Sequence, residues 1–282
     1  MRVNYLVYIL ISFLTFASCK GRIKDEKDDK IITIKGSDTV LPLAQMEAEN
    51  LMKKNKEISI SVIGGGSGVG ITALLEGTTE IAMASRDLKK KEKLKFREAN
   101  MDVEETLIAF DAVTIIVNPA NKVSNLTEKQ IEQIYTGEIK NWKDLGGEDL
   151  VIVPYSRESS SGTYDYFKEK MMDDKNYTSD VLSMSATGAI VQSVSQTKGA
   201  IGYIGLAYMT PSVKKIAVSF DEGKTFVLPT VKTAKDNTYS KSRPLYLMYE
   251  KGNSKKVNKV IEYFLSVEGQ KIVANIGYVP LK

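Results

Sequence analysis

Ile31-Ile-Thr-Ile-Lys-Gly-Ser-Asp-Thr-Val40 is the stretch from which the rest of the chain can be ordered. Its first half, Ile31–Lys35, is a strand pattern, and its second, Gly36-Ser-Asp-Thr39, is a turn dense in hydrogen-bond donors. Val40–Lys54 then carries Leu41, Ala44, Ala48 and Leu51 along one helical side. The unit recurs twice. A strand Ile58–Ile63 runs into Gly64-Gly-Gly-Ser-Gly-Val-Gly70 and a helix from Ile71 to about Glu76, and a strand Glu80–Ala84 ends at Ser85-Arg86-Asp87. Strand, donor-rich turn and helix in repetition imply an α/β fold with a parallel sheet and its loops gathered at the strands' carboxyl ends.

Further along, Leu107–Asn118 is a long strand-like run broken by Pro119, and Thr127–Tyr135 is a helix with Ser124 and Thr127 as candidate caps. Val151–Pro154 precedes Tyr155-Ser-Arg-Glu-Ser-Ser-Ser-Gly-Thr-Tyr164 and a helix-like segment Thr163–Met172. A helix N-terminus offers unpaired N–H groups and partial positive charge, and here Arg157 and a serine run stand beside it. Alone, that is an ordinary capped helix; alongside the other turns it describes one wall of an anion pocket. Ala189–Ser195 reads as helix, Gly199–Ile204 as strand, and Lys215–Ser219 with Thr225–Leu228 as a hairpin about Asp221-Glu-Gly223. Pro244–Tyr249 is a last strand and Ser254–Ile276 a long helical region.

Composition narrows the chemistry. The 282 residues are 26% charged and 43% hydrophobic, the balance of a soluble globular protein. The formal charge of +4 is spread along the chain, with no basic face for nucleic acid; short runs such as Lys89–Lys91 read as solvated helix surface. There is no histidine and one cysteine, which excludes Ser-His-Asp and Cys-His catalysis, histidine-ligated zinc and an internal disulfide. No metal or cofactor spacing stands out, and no enzyme is expected.

Residues 1–18 hold one early charge, Arg2, and an apolar run from Tyr5 to Ala17, as in a secretory signal. Phe16-Ala17-Ser18-Cys19 resembles a bacterial lipobox, with Phe16 where Leu is preferred, so Cys19 is the expected lipidation site. Residues 19–30 form a charged tether, since nine of the eleven residues Lys20–Lys30 are charged. Such a segment reaches roughly 18 Å, enough to hold a folded domain off a bilayer. The expectation is an exported protein, lipid-anchored on the periplasmic or outer side of a bacterial membrane.

The glycine loop needs testing against nucleotide motifs. No Lys-Ser/Thr pair follows it, so it is not a P-loop. Gly68-Val-Gly70-Ile-Thr-Ala73 does fit Gly-x-Gly-x-x-Ala, with Asp87 near the place of a ribose-binding acid, but it follows the second strand rather than the first. Four turns remain, Gly36–Thr39, Gly66–Gly68, Ser85-Arg86 and Arg157–Thr163, which together could enclose a tetrahedral oxyanion.

In that order Gly36-Ser-Asp-Thr-Val, Gly-Gly-Gly-Ser-Gly, Ala-Ser-Arg and Arg-x-x-x-Ser-Gly-Thr resemble the phosphate-binding proteins of Pst-type ABC transporters. Ala109–Asn121, Leu126-Thr through Trp142, Gly199–Tyr203 and Gly277-Tyr-Val-Pro280 are similar to that family too, so the resemblance covers about residues 31–282. It implies a class II periplasmic-binding fold, two lobes with a ligand cleft between them. Lobe I is expected from residues 31–110 and 243–282 and lobe II from 111–242, with crossings near Phe110–Val113 and Lys241–Pro244. The resemblance implies a phosphate site of Ser37, Asp38, Thr39, Val40 (through its backbone), Ser67, Ser85, Arg86, Arg157, Ser161, Gly162 and Thr163. It implies a monomer that delivers inorganic phosphate to an ABC-transporter permease, without cofactor. Sulfate or molybdate as ligand, or a surface adhesin or sensor, are the alternatives. Two departures from the family stand out. Ser159-Ser160 replaces the acidic or glycine residues common before Ser-Gly-Thr, leaving the partner of Arg157 open. Asp38, or else Asp87, would accept the proton of hydrogen phosphate, the feature that sulfate lacks.

Overall fold

A computed structural model describes residues 31–281; the signal segment, Cys19 and the tether lie outside the described residues. In chain order the first elements are β1 Ile31–Gly36, α1 Leu41–Lys54, β2 Ser59–Ile63, α2 Ser67–Leu75, β3 Ile81–Ala84, α3 Lys90–Glu98 and β4 Val103–Val117. Next come β5 Asn125–Thr127, α4 Glu128–Thr136, β6 Val153–Arg157, α5 Gly162–Met171, β7 Leu182–Met184, α6 Thr187–Gln196 and β8 Ala200–Gly205. The chain closes with β9 Lys214–Lys215, β10 Ala217–Ser219, α7 Val231–Lys235, β11 Ser242–Glu250, α8 Ser254–Leu265 and α9 Val267–Asn275.

The sheet runs β2-β1-β3-β11-β4-β8-β6-β7. β1 and β3 are parallel, with Gly36 opposite Met83, and β6 is parallel to both β7 and β8. β11 enters antiparallel between β3 and β4. β4 serves both halves: its Val103–Ala112 stretch pairs β11 and its Val113–Val117 stretch pairs β8. The two segments expected to cross between lobes are therefore direct neighbours, with Arg243 in register with Asp111 and Pro244 with Phe110.

Two large buried clusters lie on either side of those crossings. One gathers Ile34, Leu43, Ala44, Ile81, Ile108, Leu245, Leu247, Val260 and Phe264; the other Val113, Ile115, Ile131, Trp142, Phe167, Ile201, Tyr203 and Tyr239. Each contains enough fully buried large side chains to be a core in its own right. This is the two-lobed periplasmic-binding architecture.

Local physics explains where elements begin. α2 starts at Ser67, inside the glycine run, rather than at Ile71, because Gly66 adopts φ 98° and turns the chain straight into a helix. The long C-terminal helical region is two helices: the Ser266 hydroxyl accepts the Gly269 N–H and restarts the chain as α9. α4 has the expected cap, a reciprocal Thr127–Gln130 box, and stops at Gly137 in the left-handed region.

Candidate functional site

The turns after β1, β2, β3 and β6 meet at one place and carry the buried hydroxyls. Thr39, Ser67, Ser85, Ser161 and Thr163 are none of them more than 2% exposed. The Thr39 and Thr163 hydroxyls are 2.9 Å apart although 124 residues separate them. Ser67 Oγ accepts the Ser85 N–H at 3.1 Å. Gly162 fits against both serines: a Cβ there would lie 2.4 Å from Ser67 Oγ and 2.7 Å from Ser85 Oγ. Ser161 caps α5 by accepting the Thr163 N–H at 3.2 Å. Hydroxyls from both halves thus meet in one dry spot, at the N-termini of α2 and α5, where helix dipoles add positive potential.

The loop Glu158–Ser161 clamps the glycine turn. The Gly68 N–H donates to the Ser160 carbonyl at 2.9 Å, and a side chain at Gly66 would strike that same carbonyl. This rules against the dinucleotide motif, because the first amide of the would-be pyrophosphate cradle is already used. Gly70 has a packing reason instead: its Cβ would lie 2.2 Å from the Lys35 carbonyl.

Arg157 arrives at the end of β6 and is 2% exposed. Its strand is pinned by Tyr135, whose hydroxyl donates to the Tyr155 carbonyl, and by a 2.6 Å hydroxyl contact between Ser156 and Tyr203. Tyr203 stacks on Phe167 at 3.8 Å, and burial pushes its phenol up to about 12. The open question of what holds Arg157 has a direct answer. Its Nη2 forms an ion pair with Asp38 and donates to the Ser185 carbonyl at 2.8 Å; Nη1 donates to Thr187 Oγ1 at 2.6 Å and Nε to the Met184 carbonyl at 3.2 Å. Asp38 Oδ1 accepts the Gly65 N–H at 3.0 Å, and Tyr208 donates its hydroxyl to the Asp38 carbonyl. Nη1 of Arg157 keeps one N–H beyond its bond to Thr187.

Three of the expected residues are engaged elsewhere or lie apart in this structure. Arg86 donates to no hydroxyl of the cluster. Its guanidinium takes Glu92 at 2.7 and 2.8 Å, Asp165 at 2.9 Å and the Asp87 carbonyl at 2.8 Å, because carboxylates at the rim offer it full charge compensation. The Val40 N–H is used by the Ser37 carbonyl at 3.0 Å, in the turn that starts α1. Asp87 is exposed, whereas Asp38 is buried. Ser37 is buried beside it and donates its N–H to the Met83 carbonyl.

One residue was not anticipated. Arg243, in β11, is fully buried; its Nη2 donates to both Thr39 and Thr163 hydroxyls at 3.0 Å. Nε and Nη2 also hold Asp111 Oδ2 at 3.3 and 3.0 Å, while Asp111 Oδ1 accepts the Leu206 N–H. A signal existed in the sequence: Asp111 is the one charged residue in the apolar run Leu107–Asn118, and a buried acid needs a buried counter-charge.

Comparison with known proteins agrees with the fold. A profile described as a PBP superfamily domain matches residues 24–268. The phosphate-binding protein PstS of Borreliella burgdorferi is 32% identical over 282 residues, covering 97% of this chain and 98% of that one. That of Staphylococcus haemolyticus is 37% identical over 253 residues, covering 86% of this chain and 79% of that one. A phosphate ABC transporter substrate-binding protein of Clostridium perfringens, solved with bound phosphate, superposes with a TM-score of 0.82 at 37% identity, over 89% of this chain and 100% of that one.

Proposed function

This chain belongs to the PstS-type phosphate-binding proteins of the PBP superfamily, and we propose that it captures inorganic phosphate between its lobes and delivers it to an ABC-transporter permease. The observation that carries the reading is the buried meeting of Thr39, Ser67, Ser85, Ser161 and Thr163 around Gly162. Fixed hydroxyl donors and two helix N-termini suit a small, multiply charged oxyanion, and the close approach at Gly162 leaves no room for a substituent on it. Arg157 supplies a charge-assisted contact, oriented by Asp38 and Thr187. The Asp38 carboxylate, at the same site, is the group that tells hydrogen phosphate from sulfate. Protonated phosphate satisfies a spare lone pair, and sulfate faces it with another.

Lobe I is residues 31–110 and 243–282 and lobe II residues 111–242; the membership of the two buried clusters supports this division, with Val279 crossing to pack on lobe II. Ligand touching both lobes stabilises the closed state, and closure presents the permease with a surface the open form lacks. The protein works as a monomer, exported and held at a membrane through lipidated Cys19 and the 19–30 tether. No helix among the described residues is long and apolar enough to cross a membrane.

Equilibrium dialysis with labelled phosphate tests this. The chain should retain the label, and unlabelled phosphate should displace it far better than sulfate or molybdate. Displacement by either of those at lower concentration than phosphate would reassign the cleft to that anion.

A further inference from the structure

Arg243 has no partner for Nη1 among the described residues, although that nitrogen is buried. A buried guanidinium N–H left unpaired costs the full desolvation of the group, so such an orphan calls for an occupant. Its direction follows from the planar fork. Nε and Nη2 share the flank turned to Asp111, which places Nη1 on the far edge, next to the second Nη2 hydrogen, shared between Thr39 and Thr163. Both Nη1 hydrogens are therefore uncommitted, and the outer one lies on the edge turned to the hydroxyls assigned to the anion.

We infer that Arg243 is a second anion-binding guanidinium of the cleft, held by Asp111, so that the ligand sits as a dianion between two arginines. The inference rests on the phosphate reading of the cleft and adds a residue and a charge state to it. A pair that served only to staple β4 to β11 would spend its cation on the carboxylate or on carbonyls. Here both donors that meet Asp111 converge on one oxygen, while the other end of the cation is spent on hydroxyls from both lobes. Asp111 lies behind the guanidinium, its second oxygen tied to the Leu206 N–H, and a side chain at Gly205 would strike it. The ion pair is thus aligned with its positive end toward the hydroxyls. Because Arg243 and Asp111 sit in the two crossing strands, the ligand's charge bears directly on the hinge.

The test is a crystal structure of the full chain grown with inorganic phosphate, joined to calorimetry of variants. An oxygen of phosphate should lie about 3 Å from Arg243 Nη1. Arg243→Lys, which keeps the charge and loses the fork, should weaken phosphate binding at least about 10-fold and Arg243→Gln about 100-fold. Asp111→Asn should weaken it in the wild-type background and add little in Arg243→Lys, since it acts through that guanidinium. Phosphate bound against Arg157 but out of reach of Nη1, or an unchanged affinity in folded Arg243→Lys, overturns the inference while leaving the phosphate reading intact. Wild-type chain that takes up no phosphate at all removes both.

Discussion

Gly162 shows how much a single missing side chain decides. It is the first residue of α5, where alanine would cost the helix nothing, yet a methyl group there would press on Ser67 and Ser85 from the opposite lobe. Gly162→Ala should leave the melting temperature within a few degrees and weaken phosphate binding about 10- to 100-fold, the effect of an overpacked contact. Unchanged affinity by calorimetry would mean that the lobes do not meet at this residue. Hydroxyls and glycines in short turns were readable from sequence because such turns have one local solution. The pairing of Arg157 with Asp38 was not, since 119 residues separate them and only the folded chain joins them. The same holds for Arg243, which sits at the start of β11 with no local motif to mark it.

At the level of elements, α1 carries an oddity remote from the cleft. Glu47 points from α1 toward α8 and α9, is fully buried, and neither carboxylate oxygen has a hydrogen-bond partner among the described residues; the Tyr263 hydroxyl is likewise without one. Burial, with Glu268 nearby, pushes its pKa up to about 8. The folded state therefore holds a proton that the unfolded chain releases near 4.5. Its contribution to stability is full below that value and is lost as pH rises toward about 8. Melting curves from pH 5 to 8.5 should fall less steeply for Glu47→Gln, which should overtake wild type at the alkaline end; parallel curves would place the proton elsewhere. Element boundaries were legible where caps are local, as at Thr127 and Gly137. They were misread where a glycine run reads as loop but starts a helix, as at Ser67, and where Ser266 caps a new helix inside an apparently continuous one.

For the whole molecule, the two-lobed fold was legible because repeated strand–turn–helix units and an ordered set of donor turns leave few arrangements open. The rim was not. Arg86, from the end of β3, joins Asp165 of α5 across the cleft while Glu92 braces it, and Lys89 adds a 2.7 Å pair to Asp165. An ion pair that joins β3 to α5 in this way should slow opening. Arg86→Ala should speed phosphate release about 3- to 30-fold in stopped-flow measurements, with the association rate little changed. Equal release rates would make the bridge ornamental to closure. The central claim is that one phosphate ion is enclosed by hydroxyls from both lobes, and isothermal titration calorimetry on the purified chain tests it most directly. The account predicts saturable binding of one phosphate per chain, with sulfate at the same ionic strength much weaker. Absence of saturable phosphate binding at millimolar ligand would contradict it.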